Sequence, residues 1–131
     1  MSENLYIHRV RIYYEDTDLS GLVYHANYLK YFERAREHII GPEALARMWN
    51  EEGVGFVVYK AEMTFREGAQ LGDEVEVRTR TERESRYRVI FHQNVYRVGE
   101  REKAMVEGRV ELVCIDRDRN LVTIPDFESS L

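Results

Sequence analysis

Apolar residues along this chain change their spacing twice, and each change marks a different kind of element. Leu5 to Tyr14, rich in Tyr, Ile and Val, predicts a first strand, followed by a loop around Asp16 to Gly21. From Asn27 to Ile40 the larger apolar residues fall at Tyr28, Tyr31, Phe32, Ala35 and Ile39, with Lys30, Glu33, Arg34 and Glu37 elsewhere. Spacings of three and four gather that set into one stripe of a helix. Gly41 can end the helix, and Pro42 can open a shorter one through Leu45, Met48 and Trp49 to about Glu52, where Gly53 stops it.

Beyond Gly53 the pattern is that of strands. Val54 to Phe65 is the second, and Gly72-Asp73 turns the chain into a third, Glu74 to Glu84. There Val75, Val77, Thr79 and Thr81 alternate with Glu76, Arg78 and Arg80, the period-two mark of a half-exposed sheet. Tyr87 to Val98 is a fourth strand. Gly99-Glu100 turns into a fifth, with Ala104, Val106, Gly108, Val110, Leu112 and Cys114 on one face. Asp116 to Asn120 turns again before a short Leu121 to Ile124. The expectation is an α+β domain spanning residues 1–131, with an antiparallel sheet and one long helix lying across one side of it. The other face must then be solvated or paired with a second subunit, where Tyr59, Tyr87 and Tyr96 leave room for a contact.

Composition narrows the function classes. A chain of 131 residues with 33% charged and 44% hydrophobic residues fits one soluble globular domain. A formal net charge of −5 argues against nucleic acid as a partner, while local arginines can still hold a small anion. No apolar run approaches the ~20 residues that span a bilayer, so no membrane insertion is expected. The N-terminus lacks the apolar core of a signal peptide, so a cytoplasmic location is expected. The single cysteine, Cys114, excludes an internal disulfide and reads as a small buried hydrophobe on a strand.

The candidate chemistry lies between the first strand and the helix. Asp16 and Asp18 precede Gly21, the apolar pair Leu22-Val23, then Tyr24 and His25. Such acids can serve only as loop or capping groups. Beside an apolar wall and the amide-rich start of a helix, a carboxylate can instead act as nucleophile or base while the amides hold an oxyanion. His25 can donate to a carbonyl, orient Asp18 or cap the helix. The Asp16-Asp18 pair lacks a third ligand, so no metal and no cofactor are expected. Glu33 and Arg36, three apart on the helix, read as a surface or subunit-contact ion pair.

The segment from Tyr14 through Asp16-Thr17-Asp18, Gly21, Val23-Tyr24-His25 and Tyr28, followed by Tyr31 and Glu33-Arg34-Ala35-Arg36, resembles the hotdog-fold acyl-CoA thioesterases of the 4-hydroxybenzoyl-CoA thioesterase type. Within them it is most similar to the bacterial branch associated with the Tol–Pal envelope system. The resemblance implies a hotdog fold, a sheet wrapped around one long helix, and a homodimer or homotetramer with active sites at the dimer interface. It implies an acyl-CoA substrate, with Asp18 as nucleophile or general base. The His25 backbone N–H falls where the thioester carbonyl is polarised, and Gly21, Val23 and Tyr24 shape the turn around it. Arg83, Arg86 and Arg88 occupy the region where relatives place basic residues for the nucleotide. Two other classes stay open on this fold, an acyl-thioester hydratase or dehydratase and a non-enzymatic acyl-thioester-binding or scaffolding protein. The acyl group is not readable: Tyr24, Tyr28, Phe32 and Tyr59 can line a pocket or pack the core.

Overall fold

The computed structural model describes residues 4–125; residues 1–3 and 126–131 lie outside the account that follows. The chain runs β1 (Tyr6–Arg11), α1 (Asn27–Ile40), α2 (Pro42–Arg47), β2 (Gly55–Phe65), β3 (Glu74–Arg83), β4 (Arg88–Arg97), β5 (Val106–Ile115) and β6 (Leu121–Val122). One six-stranded sheet has the order β1-β3-β4-β5-β2, antiparallel at every pairing, with β6 on β5. This is the hotdog arrangement, an antiparallel sheet curled around α1.

The helix forms where its apolar stripe lies. Tyr28, Tyr31, Phe32, Ala35 and Ile39 are buried against the inner face, where Val75, Val77, Val89, Phe91, Val95, Val106 and Val110 form the core. Gly108 on β5 lets the helix sit close: a β-carbon there would stand 2.5 Å from the Phe32 ring and 2.8 Å from the Gln93 carbonyl oxygen. Cys114 is fully buried on β5, and burial pushes its thiol up to about 12.

Three local expectations need correction. The first strand ends at Arg11 rather than Tyr14, because Tyr14–Asp16 coils into a 3₁₀ turn. The Asp16 carboxylate closes that turn by accepting the Tyr13 N–H at 2.8 Å. The second helix narrows to Pro42–Arg47 and finishes as a wide π turn, Met48–Glu52. Arg36 does not join Glu33 on the surface. It continues the buried stripe four residues after Phe32, stays 8% exposed, and donates from Nη1 to Gln93 Oε1 at 3.0 Å. Burial lowers its pKa, with Glu33 acting the other way from a distance.

The outer face is less solvated than its alternating charges imply. Glu76 and Glu111 are buried there among arginines. One flank of β2 pairs with β5 and the other meets no strand among the described residues. That edge carries the exposed Val57, Val58, Tyr59 and Phe65, an unusual amount of apolar surface for an unprotected strand. Tyr59 sits at a break in register between Val58 and Lys60, and Arg88 lies 4.6 Å over its ring. No described helix is long and apolar enough to cross a membrane.

Candidate active site

The loop ahead of α1 is shaped by its own backbone. Asp18 N–H donates to Leu22 O at 2.8 Å and Gly21 N–H to Asp18 O at 3.1 Å, a tight reversal with Gly21 at φ +84°. That left-handed angle strains any residue with a β-carbon. The loop is then tied to residues 69–71. Val23 N–H reaches Ala69 O at 2.9 Å, Leu71 N–H reaches Gly21 O at 3.3 Å, and the Tyr28 hydroxyl accepts the Ala69 N–H at 3.1 Å. The Asp16 carbonyl accepts both the Tyr24 N–H and the Asn27 side-chain amide, each at 2.9 Å. Asp16 is therefore the structural acid of the pair, fixing the loop to the first turn of α1.

Asp18, His25, Tyr28 and Phe65 line one groove of about 280 Å³ at the start of α1, which Val23 also borders. Ser20 binds Asp18 Oδ1 through both its N–H, at 2.8 Å, and its hydroxyl. The Ser20 hydroxyl, then its N–H, and more weakly the charge of His25, hold the Asp18 carboxyl below its usual range. The His25 ring packs against Tyr24 at 4.6 Å and stands edge-on to Phe65 at 6.0 Å. Arg66 and Glu67 complete the groove but are engaged elsewhere, with Glu107 and Arg97 respectively.

The helix start differs from the expected row of free amides. The N–H groups of Asn27, Tyr28 and Leu29 are already taken by the carbonyls of Tyr24, His25 and Ala26. Among the described residues, the N–H groups of His25 and Ala26 have no backbone acceptor. The available donors thus sit one step ahead of the helix. The His25 side chain does not cap α1, whose N-cap is Ala26 without a side-chain bond. The apolar residues expected beside Asp18 do border the groove, but they do not shield the acid in the single chain. Val23 turns into the core at 6% exposed, the Leu22 side chain lies over Gly68, and Asp18 stays exposed.

Other candidates lie apart. Phe32 is a core residue and Tyr59 is exposed on β2, whereas Tyr28, buried, stays in the groove lining and Tyr24, exposed, stays against His25. Arg86 and Arg88 do not border the Asp18 groove within one chain. Arg88 pairs with Glu111 at 3.3 Å, Arg83 donates to the Ser85 and Ile124 carbonyls, and Arg86 is exposed. Sequence reading missed Ser20 and Phe65. A serine two residues after an aspartate is a legible turn signal; Phe65 had none, since only the sheet register brings the end of β2 beside His25.

Several known proteins are similar to this chain. The chain is 44% identical over 88 residues to the acyl-CoA thioesterase YbgC of Helicobacter pylori, covering 67% of this chain and 65% of that protein. It is 35% identical over 121 residues to the acyl-CoA thioester hydrolase YbgC of Escherichia coli O157:H7, covering 88% of this chain and 86% of the relative. Among solved structures, a probable thioesterase from Bartonella henselae superposes with a TM-score of 0.83 at 31% identity, covering 93% of this chain and 100% of that one. With a family match running over residues 12–129, the chain belongs to the thioesterase-like superfamily.

Proposed function

We infer that this protein hydrolyses acyl-CoA thioesters, with Asp18 attacking the thioester carbonyl carbon or taking a proton from the water that does. The observation carrying this reading is that Asp18 and His25 line one groove while the His25 N–H has no backbone acceptor. Ser20 anchors Oδ1, which leaves Oδ2 for the reaction. The carbonyl oxygen, negative once the carbon becomes tetrahedral, takes the His25 N–H as donor. Collapse of that intermediate breaks the carbon–sulfur bond and releases coenzyme A as a thiolate. On the base route the proton held by Asp18 passes to it. On the nucleophile route the thiolate is protonated by solvent, and a water then opens the acyl–Asp18 anhydride to the free acid. A thiolate is a good leaving group, so the step needs no strong general acid. Membership of the 4-hydroxybenzoyl-CoA type and of its Tol–Pal branch rests on the motif from Tyr14 to Arg36.

A second copy of the chain supplies what one copy lacks. Antiparallel pairing of two β2 edges sets the Phe65 end of one strand beside the Gly55 end of its twin. Gly55, Phe56 and Val58 border a groove of about 410 Å³ between α1, α2 and β2, floored by Met48 and Leu112. The exposed acid of one protomer then faces this groove of the other, whose apolar residues take the acyl chain while Glu33, Arg36 and Glu37 form its polar wall. A homodimer, or a homotetramer built from it, is the expected state. Sedimentation of the protein as a monomer at assay concentration removes this part of the reading.

The test is thiol release from short, long and aromatic acyl-CoA substrates, run beside Asp18→Asn. The variant keeps the fold and loses kcat by about a hundredfold or more, the size of effect typical of a lost base or nucleophile. His25→Ala loses less, because its backbone donor remains. Tight acyl-CoA binding with no thiol release by the unaltered protein identifies a binding protein instead.

A further inference from the structure

We propose that the outer face of the sheet carries a second site, which binds a phosphate-bearing small anion. A groove of about 320 Å³ there is bordered by Arg78, Arg80 and Arg101, with His92, Asn94 and Tyr96, and no acidic side chain lines it. The groove is locally basic although the chain carries a formal net charge of −5.

The groove is built in advance. Arg78 is fixed from three directions: its Nε meets Glu76 Oε2 at 3.1 Å, Nη2 donates to the Glu100 carbonyl, and its guanidinium stacks 4.0 Å over the Tyr96 ring. His92 is held by Glu82 at 2.8 Å. The Asn94 amide oxygen accepts the Gly108 N–H at 3.3 Å, which leaves its amide N–H groups as donors. The Arg80 and Arg101 side chains, in contrast, have no ion-pair or hydrogen-bond partner among the described residues. Fixed donors with two uncommitted guanidinium groups beside them match the several acceptor oxygens of a phosphate, which forked donors bind in pairs.

This site stands apart from the hydrolytic groove. Arg78 and Arg80 alternate along β3 with the inward Val77 and Thr79, so they project from the opposite face to the one α1 covers. The same oxygen chemistry is offered by bare phosphates and by the phosphorylated ribose of a nucleotide, and the two are separable in one experiment.

Isothermal titration at low ionic strength, using pyrophosphate in one arm and adenosine 3′,5′-bisphosphate in the other, reads binding without any turnover. Saturable binding of either probe is expected, weakened by added salt. Arg80→Gln and Arg101→Gln should each weaken it about tenfold, the loss of one charge-assisted contact. Equal binding of both probes assigns the site to phosphate alone, and preference for the bisphosphate assigns it to a nucleotide. Both side chains are exposed, so the variants, checked by an unchanged melting temperature, test binding rather than folding. No saturable binding of either probe, or affinity unchanged in the folded double variant Arg80→Gln/Arg101→Gln, overturns the proposal.

Discussion

On its inner face the sheet meets α1 through Val75, Val77, Phe91, Val95 and Val106, each fully buried; on its outer face Glu76 and Glu111 are nearly as deep, at 7% and 5% exposed. Two different physical devices produce that similar burial. Inside, a helix covers apolar side chains, and the gain is removal of hydrocarbon from water. Outside, no described element lies over the sheet, and arginine side chains serve as the cover. Arg78 and Arg9 flank Glu76, and Arg88 and Arg109 flank Glu111. Their aliphatic stems shield the acids while the guanidinium groups neutralise them. The inner face is thus fixed by shape and tolerates no added volume, whereas the outer face is fixed by charge and stays partly wet. That contrast also separates the two grooves: the one holding Asp18 opens where α1 begins, and the basic one where arginines cluster on the outer face.

The sharpest way to break the comparison is Gly108→Ala. The new methyl collides with the Phe32 ring and the Gln93 carbonyl, so overpacking should cost about 1–3 kcal/mol in urea unfolding. A neutral result means that α1 does not press on the sheet as described. Next comes Glu111→Gln on the outer face. It leaves two arginines without their shared acid, and because both are about one-third exposed, water screens the loss to about 1 kcal/mol. Raising the salt concentration should shrink that difference but leave the Gly108→Ala effect intact.

A subtler effect comes from the seam between β1 and α1, where the His8 and His38 rings lie 4.8 Å apart. Burial, then His38, then Arg34 lower the pKa of His8 below its ordinary 6.5. The unfolded chain therefore binds a proton at His8 that the folded chain refuses. Stability should fall as pH drops below about 6.5 and be unaffected by this group above it. His8→Gln should flatten that slope in melting curves from about pH 7.5 to 5.5, the range in which an ordinary histidine titrates. An unchanged slope removes His8 as its source. The smallest effect is expected at Arg11→Ala, which breaks an exposed ion pair with Glu74 at 3.1 Å and should shift stability by about 0.5 kcal/mol or less.

Much of this was legible from periodicity. The bounds of α1 follow from its apolar spacing and from Gly41, and the strands from alternation broken at Gly72 and Gly99. Boundaries slipped where a side chain captured the backbone, as Asp16 does at the end of β1. Arg36 was misread because spacing alone cannot tell an inward arginine from an outward one; Gln93, distant in sequence, provides the polar partner that makes burial tolerable. At the candidate site, the motif named Asp18 and His25, and the hydrogen bonds then distinguished the surroundings of the two aspartates. Asp16 ties Tyr13 and Asn27 to the loop through its carboxylate and its carbonyl, while the Asp18 carboxylate is held only by its near neighbour Ser20.

What the sequence determined by itself is the set of elements and the family, because helix and strand periods and a dense local motif are written in neighbouring residues. What only the tertiary structure decided is which side chains meet across long separations: Phe65 beside His25, Phe32 over Gly108, and three arginines around one groove. Strand register sets those meetings, and register is a property of pairs of distant segments rather than of either one alone.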